Sequence, residues 1–198
     1  TQPAWSDQNL LSIARHIRAP SILAHVRAAT DGAIIHTNCH PFAHGTWAFA
    51  HNGQIGGFAA LRRALENVLP DRLYNARQGT TDSELLFLLL LHFGLDEDPV
   101  SAVEETIALV ARTAQSKGEA GSFKFTALCS TRDRLVAIRY ASKGHAPTLY
   151  CSWSMKRTGV VVASEPLTPN KEQWTPIDGS SVLVLDGSAL TSHVLAAA

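Results

Sequence analysis

The sequence predicts an α+β domain built in layers, and three observations carry that expectation. Two helical patterns in sequence, Thr81 to Phe93 and Val100 to Lys117, are followed from Phe123 onward by six short segments of strand character. The 198 residues, 45% apolar and 17% charged, have the size and composition of one globular domain. A chain of about that length buries roughly 70% of the surface it exposes when unfolded, so neither disulfides nor a structural metal are needed to make a core.

Ser6 or Asp7 can cap a first helix, which carries Leu10, Ile13, Ala14 and Ile17 on one face and stops before Pro20. Ser21 to Arg27 reads as a short buried strand, and a loop rich in Asp, Gly, His, Asn and Pro follows from Thr30 to Thr46. Trp47 to His51 alternates as a strand that Asn52-Gly53 breaks. A helix from Gly57 to Leu69 presents Phe58, Leu61, Leu65, Val68 and Leu69. Thr81 to Phe93 is the strongest helix, with Thr81 or Asp82 as cap, Glu84 in the first turn and Gly94 as stop. It is apolar nearly all round and is expected to be buried. Val100 to Lys117 is a further helix, with Val103, Ile107, Val110 and Ala114 in period. The strands that follow are Phe123–Cys129, Arg134–Tyr140, Thr148–Trp153, Gly159–Ala163, Ser181–Leu185 and Ser188–Leu195. No linker, low-complexity tract or repeat divides residues 1–198, which read as a single domain.

Seventeen basic residues balance seventeen acidic ones, which argues against nucleic-acid partners, since these require clustered Lys and Arg. The longest apolar run, Leu85 to Leu91, falls far short of the ~20 residues that cross a bilayer, so no membrane role is expected. Cys39, Cys129 and Cys151 are too few for a disulfide framework, and their odd number suits a reducing cytoplasm. The chain starts without Met and runs almost at once into a helical pattern, which raises the expectation of an upstream segment.

Four stretches concentrate unusual polar residues at strand ends and at a helix start: His25 to Thr30, Asn38 to Phe42, His51-Asn52-Gly53, and Thr80 to Glu84. Arg27 ends an apolar segment, where a guanidinium needs a partner. Either a ligand carboxylate forked by its two N–H groups or an internal pair with Asp31, Asp82 or Glu84 would serve. Taken alone, Asn52-Gly53 favours a hairpin turn; its functional alternative is an oxyanion hole of one side-chain amide and one backbone N–H. Asp82 fits a helix cap or an anchor for a substrate ammonium. His25, His36, His40, His44 and His51 crowd around Cys39, but His36, Cys39, His40 and His44 match none of the usual paired-ligand spacings of zinc, and no metal is assigned. Cys39 and Thr1 are the residues open to a nucleophile reading; nothing around Cys39 marks a stabilised thiolate, and Thr1 lacks the look of a catalytic strand.

Taken together and in this order, the four stretches resemble the class II glutamine amidotransferases. Pro3-Ala4-Trp5 with Gln8-Asn9-Leu10, and Ala163 to Thr168 with Trp174, look like the branch of the glutathione-degrading DUG pathway. The resemblance covers nearly the whole chain. It implies a four-layer α/β/β/α sandwich of the N-terminal-nucleophile hydrolase type, here without its first strands. It also implies that Arg27 forks the α-carboxylate of a glutamine or γ-glutamyl substrate and that Asp82 holds its α-ammonium. Asn52 and Gly53 would form the oxyanion hole, and Thr30 and His51 would line or brace the pocket. The reaction implied is hydrolysis or transfer at a γ-glutamyl amide, through a γ-glutamyl thioester, with glutathione or a related γ-glutamyl thiol as a candidate substrate and no cofactor.

The family's nucleophile is an N-terminal Cys that would lie upstream of Thr1 and is not in this chain. The 198 residues are accordingly expected to be the larger, C-terminal part of such a domain and inactive alone. The Cys segment or an acceptor subunit would come on a second polypeptide, or the upstream segment would be cut off or disordered. The alternative from another class is a non-catalytic module that binds glutamine or a γ-glutamyl group.

Overall fold

A computed structural model describes residues 6–26, 35–154 and 159–196. The elements run α1 (Gln8–His16), a 3-10 turn (His36–Asn38), β1 (Phe42–His44), β2 (Trp47–Ile55), α2 (Phe58–Glu66), α3 (Asp71–Tyr74), α4 (Asp82–His92) and α5 (Pro99–Lys117). They continue with β3 (Phe123–Ser130), β4 (Arg134–Ala141), β5 (Tyr150–Ser154), β6 (Gly159–Ala163), β7 (Thr175–Pro176), β8 (Ser181–Asp186) and β9 (Ala189–Val194). The fold is α+β, with a six-stranded antiparallel sheet in the order β1-β2-β3-β4-β8-β9 and a three-stranded one in the order β6-β5-β7.

The period of two along each strand sorts the large sheet into two faces. Phe49, Phe125, Ile138 and Val182 point to one side and form the main core with Leu61 and Leu65 of α2, the body of α4, and Val103, Ile107 and Val110 of α5. Phe49 and Phe87 stack there with ring centroids 5.2 Å apart. On the other face Ala137 packs with Leu149 and Ile177, and Leu128, Leu183, Cys151 and Val162 complete a second, smaller cluster beneath the three-stranded sheet. A helical layer and two sheets are thereby stacked in that order.

Helix α4 is apolar on every side because it lies in the middle of this core, and all residues from Ser83 to Leu90 are buried. Thr81 caps it by accepting from the Glu84 N–H at 3.2 Å. Asp98 caps α5 in the same way through the amides of Val100 and Ser101.

Three expectations are corrected. Residues 21–26 form neither strand nor helix, and Ile22 and Val26 are exposed, because among the described residues no strand pairs with them. Asn52-Gly53 does not break a strand; β2 continues through both to Ile55, since β3 pairs with it along its whole length from Ala48 to Ile55. Helix α2 stops at Glu66, and the segment to Leu69 continues as tight turns with Val68 N–H on Leu65 O and Leu69 N–H on Glu66 O. Strands β1 and β7 and the single turn α3 are additions.

Candidate active site

The direction of the backbone amides along β2 organises the site. Antiparallel pairs alternate between hydrogen-bonded and non-bonded registers. The Gly56 N–H bonds Ser122 O at 3.0 Å, directly beyond the Ile55↔Phe123 pair. That parity turns the amides of His51, Gly53 and Ile55 away from β3, towards the opposite edge. Strand β1 covers that edge only as far as Phe49, its pair being Phe42. The Ile55 N–H is taken by Asp82 Oδ2 at 2.8 Å. Two residues back, about 7 Å along the strand, the Gly53 N–H lies on the same edge.

Asp82 sits in the first turn of α4, where the unpaired amides of a helix start favour a carboxylate. Its Oδ1 accepts from its neighbour Ser83 N–H at 2.8 Å, so each carboxylate oxygen is fixed by one backbone amide and keeps lone pairs for a further donor. The side chain of Asn52 leaves β2 on the face opposite to His51 and is exposed. A carboxamide and an edge amide on consecutive residues can donate together to one developing oxyanion.

His51 points into the helical side and is buried. Its Nε2 lies 3.1 Å from Lys124 O and its Nδ1 2.9 Å from Ser83 Oγ, while the ring meets Phe125 edge-on at 5.6 Å. Burial pushes its pKa below the usual histidine value, partly offset by the Asp82 charge and the Lys124 carbonyl and reinforced by His25. Gly53 has φ +157°, and a Cβ there would fall onto the Lys124 carbonyl oxygen and 2.6 Å from His51 Nε2. The glycine is thus the space through which the imidazole reaches β3.

A buried ionic cluster braces the start of α4. Glu84 accepts from the amides of Gln78 and Gly79 at 2.8 and 2.7 Å. Arg77 pairs with Glu66 and lies 3.8 Å from Glu84, and it donates to Thr81 O at 3.1 Å. Asn38 Oδ1 accepts from the Thr80 N–H at 2.9 Å, tying the 3-10 turn to the same loop.

Of the residues singled out from sequence, His51, Asn52, Gly53 and Asp82 converge on this edge. Arg27, Thr30 and Thr1 lie outside the described residues. Cys39 donates its thiol to Ile35 O at 3.5 Å. The rings of His25 and His40 meet tilted, with centroids 4.3 Å apart, but among the described residues no three His, Cys, Asp or Glu side chains are grouped to hold a metal ion. Ser83 and the Lys124 carbonyl had not been singled out as parts of the site. The quartet Thr81-Asp82-Ser83-Glu84 pointed to the first; the second depends on register alone.

The sequence model of the family described as class II glutamine amidotransferases matches residues 4–146. The chain belongs to that family. It is 31% identical to the probable glutamine amidotransferase DUG3 of Saccharomyces cerevisiae, over 96% of this chain and 64% of that protein. It is also 31% identical to the γ-glutamyl-hercynylcysteine sulfoxide hydrolase of Mycolicibacterium smegmatis, over 83% of this chain and 60% of that one. The chain therefore spans less than two thirds of the length of these two curated relatives. A glutamine aminotransferase class-II domain protein from Silicibacter pomeroyi superposes with a TM-score of 0.87 at 38% identity, covering 100% of this chain and 84% of that chain. The glutamine phosphoribosylpyrophosphate amidotransferase of B. subtilis, 20% identical with a TM-score of 0.59 over 86% of this chain and 34% of that one, shares the fold. This class II amidotransferase fold is thus the α+β type of the N-terminal-nucleophile hydrolases.

Proposed function

We propose that this amidotransferase domain acts on γ-glutamyl amides, cleaving the side-chain amide of a glutamine-like group. The observation that carries the reading is the placing of the Asp82 carboxylate, on the Ile55 N–H, and of the Gly53 N–H two residues back on one edge of β2 that no described strand covers there. The α-nitrogen and the δ-oxygen of an extended γ-glutamyl group are separated by roughly 6 Å from covalent geometry, which suits that spacing. Asp82 holds the α-ammonium, Arg27 takes the α-carboxylate through its bidentate fork, and Thr30 and His51 line or brace the pocket.

A thiolate attacks the δ-carbon, and the carbonyl electron pair moves onto oxygen. Asn52 and the Gly53 amide stabilise that oxyanion. Its collapse breaks the C–N bond, the leaving amine takes up a proton, and a γ-glutamyl thioester remains for water or an acceptor amine to attack. None of this chain's thiols is a good candidate for the attack. Burial pushes those of Cys129 and Cys151 above the ordinary thiol range, and Cys39 is bonded to Ile35 O. As the family resemblance implies, we assign the thiolate to an N-terminal Cys that these 198 residues do not include, on an upstream segment or a second polypeptide.

The likeness to DUG3 and to a hydrolase of γ-glutamyl-hercynylcysteine sulfoxide, with the resemblance to the glutathione-degrading branch, favours a sulfur-containing γ-glutamyl compound as substrate, glutathione or a related γ-glutamyl thiol among them. The three free cysteines suit a reducing cytoplasm, and among the described residues no helix is long and apolar enough to cross a membrane. Full-length protein should be assayed for glutamate release from glutamine, glutathione and other γ-glutamyl amides. Activity on a γ-glutamyl thiol above that on glutamine is expected. Inactivity on the whole panel, with the N-terminal Cys shown by intact mass, overturns the proposal.

A further inference from the structure

We propose that Ser83 is a positioning residue for the substrate ammonium: neutral His51 holds the Ser83 hydroxyl proton and so keeps Asp82 Oδ1 open to the incoming cation. The inference rests on the reading of Asp82 as the ammonium anchor.

Ser83 Oγ lies between two acceptors, 2.9 Å from His51 Nδ1 and 3.4 Å from Asp82 Oδ1, and has one proton to give. The other imidazole nitrogen decides where that proton goes. Nε2 faces the Lys124 carbonyl, which can only accept, so the ring proton of neutral His51 sits on Nε2. Nδ1 is then bare and needs a donor, and the Ser83 hydroxyl is the one bonded to it. His51 and Ser83 are both buried, at 3% and 6% exposure, so water competes poorly for either group. The groups facing the imidazole are Ser83 and Asp82 from α4, the Lys124 carbonyl from β3 and the charge of His25, with Phe49 and Phe125 against the ring.

With the hydroxyl drawn to His51, the donors to Asp82 among the described residues are the Ser83 N–H on Oδ1 at 2.8 Å and the Ile55 N–H on Oδ2 at 2.8 Å. Both oxygens can still accept from an ammonium. Without the imidazole acceptor the hydroxyl turns towards Oδ1 and occupies the lone pair that the ammonium needs. His51 thus acts at a distance on α-amino recognition, through one hydroxyl rotor.

Two measurements test this in the full-length protein. Side-chain nitrogen NMR of His51 at neutral pH should show a protonated Nε2 and a hydrogen-bonded, unprotonated Nδ1. The opposite tautomer overturns the proposal, and this arm needs no variant. Calorimetry should then compare glutamine with 4-carbamoylbutanoate, which is glutamine without its α-amino group. His51→Phe should weaken glutamine about tenfold and the des-amino analogue little, by the strength of a hydrogen bond to a charged group. Adding Ser83→Ala to His51→Phe should bring glutamine back to within about threefold of the parent. A purely structural role makes the two losses accumulate, and a double variant as weak as His51→Phe overturns the inference. Should the parent bind glutamine no better than the analogue, the Asp82 reading fails first and the Ser83 inference with it.

Discussion

Gly53→Ala separates a glycine required by close packing from one required only by a turn. The new methyl group would meet the Lys124 carbonyl oxygen, a backbone atom that cannot rotate away, and would stand 2.6 Å from His51 Nε2. Overpacking of this kind costs about 1–3 kcal/mol, and the φ of +157° at Gly53 adds backbone strain of order 1 kcal/mol or more. A total near 3 kcal/mol lowers the melting temperature of a domain this size by roughly 6–12 °C. Gly45→Ala is the control. Gly45 also has a positive φ, +59°, at the β1–β2 turn, but nothing lies within 4 Å of its Cβ position. Its cost is about 1 kcal/mol, or roughly 2–4 °C. Calorimetric or circular-dichroism melting of the two variants side by side measures the difference. Equal losses would refute the claim that the imidazole and β3 fill the space at Gly53.

Asn52→Ala should lower kcat by about a hundredfold or more in the full-length enzyme, with KM nearly unchanged and little effect on melting, because the side chain is exposed. Arg27→Ala should raise KM at least tenfold through the lost bidentate contact, measured by steady-state kinetics on the same substrate. Arg77→Met should destabilise by about 3 kcal/mol, seen as a shifted denaturant midpoint, because Glu66 and Glu84 stay buried when their shared cation is lost. Lowered by burial, the folded His51 pKa lies below its unfolded value, so the unfolded chain binds more protons. Stability should therefore fall as pH drops through 6.5 towards the folded pKa. Melting series between roughly pH 8 and pH 5 should show a flatter profile for His51→Phe than for the parent.

Where local chemistry decides, the sequence was readable. Thr81 and Gly94 bracket α4, and Asp98 and Gly118 bracket α5, within a residue or two of their expected ends. The strand character of Phe123–Cys129 and Arg134–Tyr140 placed β3 and β4, each of which runs one residue further. Where a distant partner decides, it was not. Ser21 to Val26 is as apolar as a buried strand, yet it forms no strand and leaves Ile22 and Val26 exposed. Asn52-Gly53 has the composition of a turn, and only the pairing with Thr126 and Phe125 holds it extended. The site shows the same division. Asn52, Gly53 and Asp82 could be singled out from residue type, whereas the sharing of one strand edge follows from register. The histidine crowd read from the sequence proved to be split, with His51 bonded to Ser83 and Lys124 and His25 in tilted ring contact with His40.

Strand β2 carries two kinds of constraint on alternate residues. Phe49, His51 and Ile55 are clamped between helix and sheet, whereas Asn52 and Gln54 face outward and touch little of the core. A lineage of such proteins can therefore explore new side chains at Gln54 without repacking its interior, while Asn52, equally outward, is held by its proposed part in the oxyanion hole. Drift in what the surface accommodates and constancy in how the amide is gripped can proceed on one strand, residue by residue.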